Sequence, residues 1–218
     1  MITNQRKRIP DYNKILPINE LYRCVQSEGS RQGRPTIAVR VTGCTHRCYF
    51  GEGGWCDSWY SSIHPEKGKY TFNDIIKMYD DNPHIKEMML TGGSPTMQPA
   101  LINEISHFAN ERGIIITIET EGSHFVETDY PIDEKFIKVH NRKRLNTDAI
   151  KQMIAFHKDY HYKPVWDGSD KSLKEIEDYR IELGVPKDKT YIMPAGDERG
   201  QLIKMYPLVF ELCAEKGY

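Results

Sequence analysis

A chain of 218 residues, 39% hydrophobic and 28% charged, is long enough to bury a full core as one domain. Its 30 basic and 31 acidic residues leave a formal charge of −1, so no global field argues for a nucleic-acid or membrane partner. The longest apolar runs, such as 113–118, are too short to span a bilayer, and the basic N-terminus MITNQRKRIPDYNK is followed by no apolar segment of the signal-peptide kind. A cytoplasmic, reducing location is therefore the expectation. In such a compartment, clustered cysteines bind metal or do chemistry more often than they form disulfides.

Residues 1–16 read as a polar arm and 17–218 as the single domain. Leu21 to Val25 and Thr36 to Val41 (TIAVRV) are apolar and β-branched, which predicts two strands. Gly43, Gly51, Gly53 and Gly54 then mark a long loop after the second strand. Phe72 to Asp80 has helical spacing with Thr71 as its N-cap. Ile85 to Leu90 reads as a buried strand closed by the turn TGGSP, and Ala100 to Arg112 as an amphipathic helix with Leu101, Ile105 and Phe108 on one face. The run IIITIET after Gly113 is the clearest buried parallel strand.

Further along, a short strand is expected over Lys135 to Val139 and a helix over Asp148 to Phe156. Tyr162 to Trp166 reads as a strand, Ser172 to Leu183 as a helix capped by Ser172, Lys189 to Met193 as a strand, and Gln201 to Lys216 as the closing helix. This alternation predicts an α/β fold with a mostly parallel sheet or partial barrel. Ligands in such sheets sit at the carboxyl ends of strands. Cys44, Gly92, Gly93 and Glu121 all follow predicted strands and are expected to converge on one rim.

Three of the five cysteines, Cys44, Cys48 and Cys56, fall in the pattern C-x3-C-x7-C. Three thiolates are an odd number for disulfides and one short of a closed zinc site. They suit a four-iron cubane that keeps one iron open for a ligand. A zinc site completed by His46 or His64 competes with that reading, and unrelated reduced thiols are a third; spacing alone leaves all three open. Read without other context, TGGSP is an ordinary strand-to-helix turn. On the same terms Glu28 is a surface charge, Arg40 a strand-end charge, Ser58 a helix or turn cap, and Cys24 and Cys213 buried structural thiols.

Several ordered motifs join the cysteines: Gln26-Ser27-Glu28-Gly29, Arg40 before Gly43-Cys44, Cys56-Asp57-Ser58, Thr91-Gly92-Gly93-Ser94-Pro95, and Glu119-Thr120-Glu121-Gly122. Together they resemble the 7-carboxy-7-deazaguanine synthases, radical S-adenosylmethionine enzymes of the queuosine and 7-deazapurine pathways. The resemblance runs from about Pro17 to Gln201 and is strongest through residue 123. It implies a partial parallel β/α barrel with a cluster-binding loop after the first barrel strand. It also implies conversion of 6-carboxy-5,6,7,8-tetrahydropterin to 7-carboxy-7-deazaguanine with release of ammonia.

Residue by residue, the resemblance implies a [4Fe–4S] cluster on Cys44, Cys48 and Cys56. The five-residue stretch 51–55 lengthens the superfamily's common C-x3-C-x2-C spacing. Gln26, Glu28, Arg40 and Thr91 match positions that grip the pterin. A carboxylate suits the pterin's amino–imino edge, and an arginine fork suits its carboxylate. S-adenosylmethionine falls to Asp57, Gly92, Gly93, Ser94, Glu119, Ser123 and His140, with one of the two β-strand glutamates expected at the ribose hydroxyls. Ser94 stands where the family has glutamate, Glu121 where it has asparagine, and His140 and Arg142 where it has a Ser-Pro-Lys segment. Ser58 stands where a threonine ligates Mg²⁺; its hydroxyl keeps the hard oxygen. The segment YIMPAGDERGQL matches the family's closing strand, near the adenine.

The implied partners are the small pterin and an external one-electron reductant of the flavodoxin or ferredoxin type, with no direct nucleic-acid or membrane contact. A homodimer is expected. A glycyl-radical activating enzyme shares the cluster and cofactor but needs a protein partner, and the Gln26-to-Gly29 turn with Arg40 favours a small molecule. A non-catalytic zinc-knuckle module is the alternative from another class.

Overall fold

The computed structural model describes residues 11–46, 56, 58–139, 146–196 and 198–218. Among these residues, seven strands form one sheet in strictly sequential order: β1 (Ile18–Val25), β2 (Pro35–Val41), β3 (Glu87–Gly92), β4 (Ile115–Thr120), β5 (Glu134–Val139), β6 (His161–Trp166) and β7 (Met193–Pro194). Strands β1 and β2 form an antiparallel hairpin, and every later neighbour pairs in parallel. The helices are α1 (Trp59–Ser62), α2 (Phe72–Asp80), α3 (Pro99–Arg112), α4 (Thr147–Phe156), α5 (Asp170–Leu183) and α6 (Arg199–Lys216). No helix among the described residues is long and apolar enough to cross a membrane.

Side-chain alternation divides β2, β3, β4 and β6 between a core and a cavity. Ile37, Val39 and Val41 of β2, Met88 and Leu90 of β3, and Ile116 and Ile118 of β4 join Ile75 of α2 and Ile105 and Phe108 of α3 in one buried cluster. A second cluster joins Tyr162 and Trp166 of β6 to Ile150 and Met153 of α4, Tyr179 and Leu183 of α5, and Val209 and Leu212 of α6. Residues of the opposite parity on these strands, Arg40, Thr91, Glu119 and Lys163, point to the other face and line a cavity.

Several boundaries differ from the sequence expectation for local reasons. Strand β1 begins at Ile18 because the hairpin with β2 continues to Val41. The third strand starts at Glu87: Ile85 donates its N–H to Asn82 O at 3.0 Å in a turn, and the strand runs on into the TGGSP glycine instead. Ser169, not Ser172, caps α5, its Oγ accepting the Ser172 N–H at 3.1 Å. The seventh strand is shorter than Lys189 to Met193 predicts. Residues 187–189 form a 3₁₀ turn, and pairing with β6 begins with a single bridge at Thr190.

The capping box of α2 matches its sequence: Thr71 Oγ1 accepts from Asp74 N–H while the Asp74 carboxylate accepts from Thr71 N–H. Residues 11–16, assigned to the arm, pack there as well. The Tyr12 ring stacks on Phe72 at 5.1 Å, and Leu16 N–H donates to Tyr70 O at 2.8 Å.

Candidate active site

Registered strands put polar side chains at one level of the sheet. Arg40 of β2 pairs with Thr91 of β3, and Thr91 Oγ1 donates to Glu119 Oε2 of β4 at 3.2 Å. Lys163 of β6 joins the row from two residues beyond His161, which the register through Phe136 sets level with Glu119. Its side chain is 0% exposed, and its ammonium donates to Glu119 Oε1 at 2.8 Å and to Glu28 Oε2 at 2.5 Å. A fully buried ammonium is tolerated only with charged partners, which these two carboxylates supply.

Glu28 reaches this row from the turn that follows β1. Gly33 N–H donates to Gln26 O at 2.8 Å, closing the turn, and Arg31 Nε donates to Glu87 Oε2 at 2.6 Å, fastening it to β3. Buried Gln26 places its amide on Met89 Sδ at 3.0 Å, on the cavity floor.

Arg40 is held in three directions. Its Nε donates to Glu20 Oε2 at 2.5 Å, its Nη1 to Ser58 Oγ at 3.3 Å and its Nη2 to Tyr22 Oη at 3.2 Å. Burial opposes the charge, but Tyr22, Tyr60 and Glu20 outweigh it and hold the Arg40 pKa above its ordinary value. Ser58 occupies the N-cap position of α1 without making a side-chain cap bond, and its hydroxyl faces Arg40. The cap reading of Ser58 therefore describes its backbone only.

The TGGSP turn packs directly on the start of the cysteine loop. Gly93 N–H donates to Val41 O at 3.1 Å, Ser94 N–H to Gly43 O at 2.7 Å, and Gly43 N–H to Ser61 O at 2.7 Å. A Cβ on Gly92 would meet Val41 O at 2.4 Å, and one on Gly93 would meet Gly43 O at 2.2 Å. Both glycines thus serve the close approach of backbone to backbone.

Cys44 and Cys56 both line the same cavity. Cys44 Sγ accepts the His46 N–H at 3.3 Å, and Cys56 Sγ accepts from Ser62 Oγ at 3.4 Å. Cys44, His46 and Glu121 bring one ligand atom each within 4.8 Å of one another. His64, the other histidine considered for zinc, is exposed beside Trp59 instead.

The cavity, of about 420 Å³, spans the sheet from Cys24 to Val165 and is closed by Met193, Pro194, Gly196, Leu202 and Tyr206. Gln26, Glu28, Arg40, Thr91, Gly92, Gly93, Glu119, Cys44, Cys56 and Ser58 line it. Ser94 is buried behind it, with its hydroxyl on Glu121 Oε1 at 2.8 Å. Ser123 donates to the same oxygen and contacts His124 Nδ1 at 2.6 Å. Cys48, Asp57, His140 and Arg142 lie outside the described residues.

Two residues change character here. Cys24, read as a buried structural thiol, is half-buried and lines the cavity, because β1 alternation turns it to the same side as Tyr22. Burial pushes its pKa up, Arg40 opposes the shift and Glu119 adds to it. Lys163 is absent from the sequence candidates. Its signal is a lone charge inside the apolar strand HYKPVW, on the parity opposite Tyr162 and Trp166.

No family model matches the chain. It is 36% identical over 229 residues to the 7-carboxy-7-deazaguanine synthase of Halobacterium salinarum, covering 93% of this chain and 86% of that one. The chain belongs to the 7-carboxy-7-deazaguanine synthase family. The synthase of Rhodopirellula baltica is 27% identical over 219 residues, covering 93% and 82%. That of Hyperthermus butylicus is 25% identical over 241 residues, covering 99% and 93%. The crystal structure of QueE from Escherichia coli shares the fold, with a TM-score of 0.68 at 18% identity over 93% of this chain and 91% of that one. In this member of the family the sulfurs of Cys44 and Cys56 and the polar row share one cavity.

Proposed function

We propose that the protein is a radical S-adenosylmethionine carbon–nitrogen lyase, a 7-carboxy-7-deazaguanine synthase. It takes 6-carboxy-5,6,7,8-tetrahydropterin to 7-carboxy-7-deazaguanine with release of ammonia. The observation that carries this reading is one cavity whose wall holds the sulfurs of Cys44 and Cys56, with Gln26 and Glu28 presented by the turn after β1 and Arg40, Thr91, Glu119 and Lys163 by the strands. When bound, a [4Fe–4S] cluster on Cys44, Cys48 and Cys56 together with S-adenosylmethionine supplies the radical chemistry, driven by an external one-electron reductant.

The chain's own residues bind and orient. The Glu28 carboxylate, fixed by Lys163, accepts from the amino–imino edge of the pterin. Arg40 spends three N–H donors on Glu20, Ser58 and Tyr22 and has five, so its fork retains donors for the pterin carboxylate. The Ser58 hydroxyl, beside Arg40, suits Mg²⁺ near that same carboxylate. Gly92, Gly93, Ser94, Glu119 and Ser123, with Asp57 and His140, make up the cofactor side.

The strand order supports a partial β/α barrel, since parallel strands that follow one another in space put their carboxyl ends on one rim. We take 17–218 as its single domain and 1–16 as the arm. The homodimer is supported by Ile203, Tyr206 and Phe210, exposed along one side of α6. Light scattering after gel filtration reads it, and a monomer mass would rule it out. The thiols of Cys24 and Cys213, in no disulfide among the described residues, suit a reducing cytoplasm.

The test is anaerobic. Protein reconstituted with iron and sulfide is reduced and given S-adenosylmethionine, Mg²⁺ and the carboxytetrahydropterin, and 7-carboxy-7-deazaguanine is sought by mass spectrometry. Product that vanishes in Cys48→Ala is expected. Cofactor cleavage without product would keep the radical class and remove the pterin, and zinc retained in place of iron and sulfide would overturn the enzyme.

A further inference from the structure

Glu121 carries a carboxylate with one oxygen engaged and one left over. Its Oε1 accepts from Ser94 Oγ at 2.8 Å, from Thr45 Oγ1 at 3.4 Å and from Ser123 Oγ. Its Oε2 is buried and has no hydrogen-bond partner among the described residues. The side chain is 8% exposed, lines the cavity and brings an oxygen within 4.8 Å of Cys44 Sγ. The His46 ring also faces it, with Nδ1 at 3.7 Å from Oε1.

A buried carboxylate oxygen without a donor is costly, and it is costlier when three hydroxyls hold its twin in place so that the group does not turn away. Such a group is pre-organised for a cationic donor from outside the chain. Its position narrows the donor's class. Glu121 follows β4 at the rim, next to the first cysteine and against the TGGSP turn, and that turn has no charge of its own. A ligand whose amino-acid end approaches a cluster held by Cys44 brings a primary ammonium to this corner.

Building on the proposed radical S-adenosylmethionine reading, we propose that Glu121 binds the α-ammonium of S-adenosylmethionine. Ser94 and Ser123 act as positioning residues that present its free oxygen. The negative charge at this end of the cofactor site thus comes from the end of β4 and not from the turn after β3. The 2.8 Å contact between Ser94 and Glu121 means that either position can carry the carboxylate.

The test measures binding, not turnover. Reconstituted wild type, Glu121→Gln and the exchanged pair Ser94→Glu/Glu121→Gln are titrated anaerobically with S-adenosylmethionine and with its analogue lacking the amino group. Iron content and thermal melts are read on each. Glu121→Gln is expected to weaken S-adenosylmethionine about tenfold or more, as loss of a charge-assisted hydrogen bond implies. The analogue's affinity and the iron content should stay unchanged, and the exchanged pair should recover affinity for the natural cofactor.

Equal losses for both compounds, an unchanged constant, or iron lost from a folded Glu121→Gln protein would each overturn the assignment, the last by making Glu121 part of the metal-loading site. Wild type that takes up iron and sulfide yet fails to bind S-adenosylmethionine would overturn the functional reading, and this assignment with it.

Discussion

Cys24 faces the cavity from β1, between the charges of Arg40 and Glu119. Burial disfavours its thiolate most, the Arg40 charge favours it and the Glu119 charge disfavours it again, with a net upward shift from 9.0. A raised pKa means less thiolate at any given pH. Alkylation of Cys24 by iodoacetamide, followed by peptide mass spectrometry, should therefore stay slow at neutral pH and keep accelerating beyond pH 9.0. Glu119→Gln should speed labelling at fixed pH and Arg40→Gln should slow it; a rate that levels off below pH 9.0 would contradict the arrangement. The same row shows how site residues can be found from sequence. Arg40 in TIAVRV and Glu119 in IIITIET stand out as charges in apolar strands, and both are candidates on the motifs. Lys163 in HYKPVW carries the same signal. It escapes notice because the local motif says nothing of Glu28, 135 residues earlier, which makes a buried ammonium tenable. Tyr22 and Cys24 escape for another reason, since the face an edge strand turns to a cavity is set by its partner strand.

At the scale of elements, helices with strong local signals are the most legible. Thr71 and its capping box place α2, and Gly113, in the left-handed conformation at φ 60°, ends α3 where the pattern of Leu101, Ile105 and Phe108 stops. The cap of α5 falls one turn earlier than expected because Ser169 and Ser172 are both plausible caps in isolation and only the fold chooses. The TGGSP glycines are legible as a turn, while their reason lies in a tertiary contact with Gly43 and Ser61. That contact is testable. A methyl on Gly93 meets Gly43 O at 2.2 Å and Ser61 O at 2.8 Å, both backbone atoms. Gly93→Ala should therefore displace the start of the cysteine loop, lowering iron uptake on reconstitution and stability by about 1–3 kcal/mol. Gly200, where an added methyl would meet nothing within 4 Å, provides the control: Gly200→Ala should leave iron uptake unchanged. Equal iron in both variants would show that the turn does not support the loop.

Across the whole molecule, the two buried clusters lie on different parts of the sheet, one on β1 to β4 and the other on β6 with α4 to α6. Lys163 joins them: it stands on β6 and grips Glu119 of β4 and Glu28 of the turn after β1. No local pattern announces such a link, which depends on the order of the strands. Its energetic sign follows from burial. Lys163 is 0% exposed and Glu119 7%, so Lys163→Met strands a buried carboxylate, whereas Glu28, at 28%, is partly hydrated. Loss of one partner from a buried pair costs about 3–5 kcal/mol, against about 0–1 kcal/mol for an exposed one. Denaturant unfolding of Lys163→Met should show the larger loss. Adding Glu119→Gln should return part of it, because the second substitution removes the stranded charge that the first creates. A loss below about 1 kcal/mol in the single variant would mean that water or a rearrangement already shields Glu119, and that Lys163 does not bind the two parts of the sheet together.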